Sequence, residues 1–282
     1  MTLRTIDSRN IKEARLSVAY SGPEKSGKTH NAFSWPEPIV SLYPDPNTET
    51  VRGFILEGRK IQLYVPSNFQ EIENEFLPMV VNRKFDANTI VIDSYSFVDV
   101  LLNSDYCGAS GDRKITIAEW GAIRSRHMKL VNQLLTATKP IPGKPAYHLV
   151  VTAHLSDVLD DKGAVVATRP AIQGGFKDIF GRCFGSLFYC EAKTVRPVTG
   201  TTLGPPEVQY RVHTVPPNER IACGDGVGGK GGYKRLPPVL EGTYPSLCKA
   251  WGKDPTAATP LVPASSDIDS LLPDPATATV KA

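Results

Sequence analysis

Gly22, Gly27, Lys28 and Thr29 stand in the pattern GxxxxGK[ST], within the segment Gly22-Pro23-Glu24-Lys25-Ser26-Gly27-Lys28-Thr29. Each residue type answers a need of phosphate binding. Glycines let backbone N–H groups converge on a β-phosphate, and a helix opening at Lys28 adds partial positive charge. The Lys28 ammonium can bridge β- and γ-phosphates, and the Thr29 hydroxyl can ligate Mg²⁺. His30 follows directly and ends the candidate nucleotide-binding stretch. A carboxylate, Asp93, closes the apolar run Thr89-Ile90-Val91-Ile92, where it can hold the water shell of the same ion. The pattern thus predicts ATP and Mg²⁺ as cofactors, with Thr29 and Asp93 on the metal.

Elements must bring these groups together. A β-rich run over 16–20, stopped by Ser21-Gly22, precedes the loop, and a short helix over 28–34 follows it until Trp35-Pro36. Strands are expected over 38–43 and 60–65, and a helix over 68–82 that Pro78 kinks or shortens. The runs 89–93 and 147–153 are apolar without alternation, as in strands covered on both faces of a parallel sheet. Residues 117–137 form the longest helix, with Trp120, Ile123, Met128, Val131, Leu134 and Leu135 as its buried stripe. Ligands in open α/β sheets bind at the carboxyl ends of strands, so the phosphate loop and Asp93 should share one edge. Strands over 185–192 and 207–214 have no helix between them, which points to an antiparallel extension. Residues 223–232 are glycine-rich and read as a loop.

Composition bounds the rest. A chain of 282 residues can bury a sizeable core, and it reads as residues 1–15, a folded domain over 16–251, and a Pro-, Ala- and Thr-rich acidic tail over 252–282. No apolar run reaches the ~18 residues of a membrane helix, and the polar N-terminus lacks a signal-peptide core, so a cytoplasmic protein is expected. Cys107, Cys183, Cys190, Cys223 and Cys248 are scattered without a CxxC pair, which argues for reduced thiols rather than disulfides or zinc. Net charge is +3; two lysines and four aspartates from Lys253 onward leave +5 on residues 1–252.

The loop Gly22 to Thr29 is very similar to the phosphate loop of RecA recombinases, and Thr89-Ile90-Val91-Ile92-Asp93-Ser94 resembles the RecA-type Walker B strand. The likeness continues in the Trp120-containing helix, in Val150-Val151-Thr152-Ala153-His154 and in Pro170-Ala171-Ile172-Gln173-Gly174-Gly175. Over residues 16–226 the chain resembles the short RecA-like ATPases of bacteriophages, some of which act in single-strand annealing. The resemblance implies an α/β RecA-like P-loop core with a mainly parallel sheet, helices on both faces and an antiparallel C-terminal extension. It also implies Mg²⁺-dependent ATP hydrolysis on single-stranded DNA in phage recombination, annealing or replication, in the host cytoplasm. His154 takes the place of a polar sensor of the γ-phosphate. The family's catalytic carboxylate follows the second strand, where Asp45 and Glu49 both lie and no Asp-x-Glu pattern selects one; Glu49 is preferred. A homo-oligomer with nucleotide at subunit interfaces would complete the site with a basic residue, Lys193 or Arg220.

Family loops that face DNA correspond to residues 103–114, with Tyr106, Arg113 and Lys114, and to 156–177, with Lys162, Arg169 and Lys177. Basic and aromatic residues suit a strand's phosphates and bases, whereas Asp157, Asp160 and Asp161 oppose them. Lys230, Lys234 and Arg235 offer another contact. In the tail, Ser266-Asp267-Ile268-Asp269-Ser270-Leu271-Leu272 is an acidic–hydrophobic patch that can dock on a protein partner. Two further readings remain: a nucleotide-switched loader or regulatory module with little hydrolysis, and a small-molecule kinase, which the lack of an Arg-rich lid disfavours.

Overall fold

The structure is a computed structural model and describes residues 15–107, 113–141, 143–144, 146–196, 198–199, 202–228 and 233–255. Its centre is β1 (Ser17–Gly22), β4 (Thr89–Ile92) and the first half of β5 (His148–Leu159), the last two being the runs that sequence marks as apolar without alternation. Such strands need cover on each side, and they receive it. Ala19, Ile90, Ile92, Leu149 and Val151 enter one apolar cluster, while Val18, Tyr20, Val91 and Val150 enter another on the opposite face. The first cluster is roofed by a helical segment α3 (residues 69–81), by α4 (Tyr95–Cys107) and by α5 (Ile117–Thr136). The second is roofed by α1 (Lys28–Phe33), α2 (Glu49–Leu56) and α6 (Tyr244–Trp251).

The main sheet runs β12-β10-β7-β1-β5-β4-β2-β3, with β2 at Ile39–Leu42, β3 at Ile61–Tyr64, β7 at Ser186–Val195, β10 at Glu207–His213 and β12 at Val239–Leu240. From β7 through β3 every neighbouring pair is parallel. The strands β10 and β12 are antiparallel additions beyond β7, as is β11 (Gly224–Asp225). The expected antiparallel extension therefore starts one strand later than its first candidate, because β7 itself lies parallel to β1. The molecule is an α/β protein with a mostly parallel mixed sheet and helices on both faces.

Several expectations change. The strand over 147–153 does not stop at His154; it continues to Leu159 and pairs antiparallel with β6 (Val165–Pro170). Much of the stretch 156–177, expected as a loop, is thus a β-hairpin closed by an aspartate turn in which Asp160 Oδ1 accepts from the N–H groups of Lys162 and Ala164. Residues 103–107, also expected in a loop, are the last turn of α4. Glu49 is not in a loop either, since it opens α2. The helix over 68–82 is built as Phe69–Glu71, a π-turn Ile72–Phe76 and Leu77–Val81, together α3. The wider turn lies just before Pro78, whose missing N–H and bulky ring a regular α-turn would not accept. The glycine-rich stretch carries β11, and residues 229–232, with Lys230, lie outside the described residues. So do residues 1–14 and 256–282, including the patch at Ser266 to Leu272. Among the described residues no helix is long and apolar enough to cross a membrane.

Candidate functional site

Register brings the distant groups to one edge. Gly22 stands opposite His154, and Ile92 opposite Val151, so β1 and β4 end on either side of the middle of β5, which runs on past them. The chain leaves β1 into the Gly22–Thr29 loop, in which Lys25 (φ 57) and Gly27 (φ 84) take left-handed backbone. At Gly27 any side chain would be strained by that φ, and its Cβ would also stand 3.1 Å from the Tyr210 ring. Gly22 is tighter still, because a Cβ there would come within 2.5 Å of the Cys190 carbonyl oxygen. The following helix α1 spans only six residues, so its dipole adds less at the loop than that of a longer helix would.

Lys28 is 6% exposed, and its ammonium donates to the carbonyls of Gly22 (3.0 Å) and Pro23 (2.6 Å). Burial pushes its pKa down, against the pull of Cys190, Asp93, Glu24 and Asp45. Asp93 is 4% exposed, and burial raises its pKa in spite of hydroxyls from Thr152 and Thr29 and the charge of Lys28. Its Oδ1 accepts from Thr152 Oγ1, whereas Oδ2 is buried without a hydrogen bond of normal geometry. The Thr29 hydroxyl is near enough to act on the carboxyl but is not seated as a regular partner. Ser26 Oγ and Ser94 Oγ are buried and unpartnered as well.

A buried carboxylate with one idle oxygen beside a threonine hydroxyl fits a small hard cation. Among the described residues no group of three or more His, Cys, Asp or Glu side chains could hold a metal ion without help. Magnesium usually binds through one or two carboxylates plus substrate phosphates, so Thr29 and Asp93 fit that partial donor set.

His154 sits half-buried at the end of the shared edge, its N–H donating to Ser96 Oγ (3.0 Å) and its ring edge-on to Phe97 at 6.0 Å. Burial lowers its pKa, and Lys28 lowers it further. The two carboxylates after β2 part company. Asp45 is half-buried, and its charge is felt at Lys28, Asp93 and His154. Glu49 is 80% exposed and 4.0 Å from Arg52, at the solvent-facing start of α2. Sequence reasoning does not single out Thr152, Ser96 or Tyr43, the last a buried phenol at the end of β2 whose pKa is raised by burial and by the charges of Asp93 and Asp45. Thr152 carries a signal, a lone hydroxyl within an apolar strand; the others carry none.

No family model matches the chain, and no curated protein matches it.

Lys193 is exposed on the part of β7 that runs past the edge, four residues beyond Tyr189, the partner of Ser21. Arg220 is exposed beside β6, where its carbonyl accepts from Thr168 N–H. Of the candidate DNA contacts, Arg113 is paired with Glu119 (2.6 Å) and Arg169 with Asp178. Tyr106 is half-buried, 5.8 Å from the Arg126 guanidinium. Lys114, Lys162, Lys177, Lys234 and Arg235 make no ion pair among the described residues. A cleft of about 850 Å³ lies away from Lys28, between β6, β7 and residues 177–185, and includes Lys177 and Arg182. Its size alone does not make it the reaction centre, because it contains neither the strained loop nor the idle carboxylate.

Proposed function

We propose that this chain binds a nucleoside triphosphate, with ATP as the expected ligand, on the Gly22–Thr29 loop and hydrolyses it with Mg²⁺. The observation that carries the reading is the buried Asp93 carboxylate with one unpartnered oxygen, set beside Thr29 and Lys28 at a shared strand edge. Desolvating a carboxylate without satisfying it costs free energy, and a cation among phosphates would repay that cost on binding. Lys28, which caps two loop carbonyls, would exchange them for phosphate oxygens. When bound, Mg²⁺ supplies charge neutralisation at the phosphates. Asp45 is the better candidate for orienting the attacking water, since it is half-buried with its charge acting on Lys28 and Asp93, whereas Glu49 faces solvent beside Arg52. His154, kept neutral by burial and by Lys28, suits a γ-phosphate sensor that donates or accepts a hydrogen bond.

The RecA-like assignment, the short phage ATPases it points to, and action on single-stranded DNA rest on the sequence resemblance. So does an oligomer in which Lys193 or Arg220 reaches a neighbour's nucleotide. A second reading, a nucleotide switch with slow turnover, is favoured by one feature: Glu49 faces solvent and leaves Asp45 as the sole candidate carboxylate after β2. Turnover of ATP with and without single-stranded DNA separates the two, in wild type and in Lys28→Ala. DNA-stimulated hydrolysis that the variant loses by at least about a hundred-fold supports the ATPase. Tight nucleotide binding without turnover in either condition supports the switch.

A further inference from the structure

A second concavity borders the loop on the side away from Asp93. It holds about 450 Å³ and lies between His30 and Asn31 of α1, Tyr210 of β10, and the turn from Leu240 to Thr243. That volume falls in the usual range for small-ligand sites. Tyr210 is 54% exposed, yet a Cβ placed on Gly27 would stand only 3.1 Å from its Cδ1, so the ring lies over the side of the loop that the missing side chain leaves open. One edge of the ring thus faces the loop, while much of the remaining aromatic surface is bare. Solvent-exposed aromatic area in mid-strand stabilises little by itself. The outer edge of β10 is also open here, because β12 pairs only with Val212 and His213. Residues 209–211 thus run along the cleft without an outer strand, next to the Glu241 carboxylate.

We propose that this cleft is a nucleoside subsite, in which a flat base stacks on Tyr210 while the phosphates lie on the Gly22–Thr29 loop. The proposal rests on the phosphate-loop reading and adds to it the group that grips the other end of the ligand. The closeness of Tyr210 to Gly27, with room between them for no Cβ, puts the stacking ring beside the phosphate loop, within reach of a nucleoside attached to those phosphates. Stacking is tolerant of base identity, since every base has a π-face, so the site takes nucleoside triphosphates as a class and favours larger purine faces. Edge contacts to β10 and Glu241 refine that choice without creating it.

Calorimetric titration with ATP and with inorganic tripolyphosphate, both with Mg²⁺, tests the proposal on wild type, Tyr210→Ala and Tyr210→Phe. Wild type should bind ATP at least about ten-fold more tightly than tripolyphosphate. Tyr210→Ala should erase most of that margin while leaving tripolyphosphate affinity in place, and Tyr210→Phe should keep the margin. Equal affinity of wild type for the two ligands overturns the subsite and leaves the phosphate loop standing. So does a Tyr210→Ala variant that loses both ligands alike, which would make the ring a support for Gly27. Lys28→Ala reports separately on the parent reading: if it leaves both affinities unchanged, the phosphate site falls and the subsite with it.

Discussion

Asp93 is held in a state that the unliganded fold does not favour. Burial raises its pKa above the unfolded value, and only one of its oxygens is well bonded. A carboxyl whose pKa rises on folding holds its proton more tightly in the folded state, so it subtracts stability at neutral pH. That deficit disappears as pH falls and both states become protonated. Asp93→Asn should therefore raise the urea-unfolding free energy of the ligand-free protein at pH 7 by on the order of 1 kcal/mol. The gain should shrink in titrations carried out at progressively lower pH, and the same variant should lose Mg²⁺-dependent turnover. A substitution that destabilises at pH 7 would show that Asp93 is satisfied in the resting fold. This pairing of residue type and position was legible in the sequence, as a carboxylate closing an apolar strand. Its strain was not, because the lack of a partner for Oδ2 depends on where Thr152 and Thr29 come to rest.

At the scale of elements, α5 illustrates both the reach and the limit of periodicity. Ile123, Val131 and Leu134 are buried as the spacing predicts, and Trp120, Met128 and Leu135 are partly buried at the margin of the same stripe. Its start at Ile117 is sealed by a capping box, in which Thr116 Oγ1 accepts from Glu119 N–H and the Glu119 carboxylate accepts from Thr116 N–H. The stripe also contains His127, fully buried, which hydropathy alone would turn outward. Three partners from other elements hold it in. Its Nε2 meets Asp99 Oδ1 at 2.9 Å, its Nδ1 meets the Tyr95 hydroxyl at 2.9 Å, and its ring stacks on Phe176 at 4.8 Å. Asp99 in turn accepts from Gln173 N–H at 3.0 Å, so α4, α5 and residues 173–176 are tied by one polar network. Replacing His127 by Leu would leave Asp99 Oδ1 and the Tyr95 hydroxyl buried without their partner. A loss of about 2–3 kcal/mol is expected, read as a lowered urea midpoint at constant m-value. A change below about 0.5 kcal/mol would mean that the network contributes only shape.

For the whole molecule, the sheet is sealed by two layers, and the last described helix belongs to one of them. Leu247 and Trp251 of α6 are both 0% exposed, and Trp251 packs near Phe188 at a ring distance of 6.4 Å. A chain ending at residue 255 should melt and bind ATP like the full chain. One ending at residue 243 removes both anchors and should lose at least about 5 kcal/mol, enough to abolish a cooperative melt in a protein of ordinary stability. A 1–243 chain with an unchanged melting curve would place α6 outside the core. The sequence by itself determined the contiguous features: the glycine-bearing loop with Lys28 and Thr29, the doubly apolar strands, the apolar stripe of α5 and the helix–strand alternation. Those are legible because backbone torsion, hydrogen bonding and burial act over a few consecutive residues. Only the tertiary structure decided which distant groups meet. Parallel pairing through β5 set His154 level with Gly22 and Thr152 against Asp93, while the antiparallel return of β10 laid Tyr210 on Gly27. Such meetings depend on strand order and register across long stretches of chain, to which no local spacing is tied.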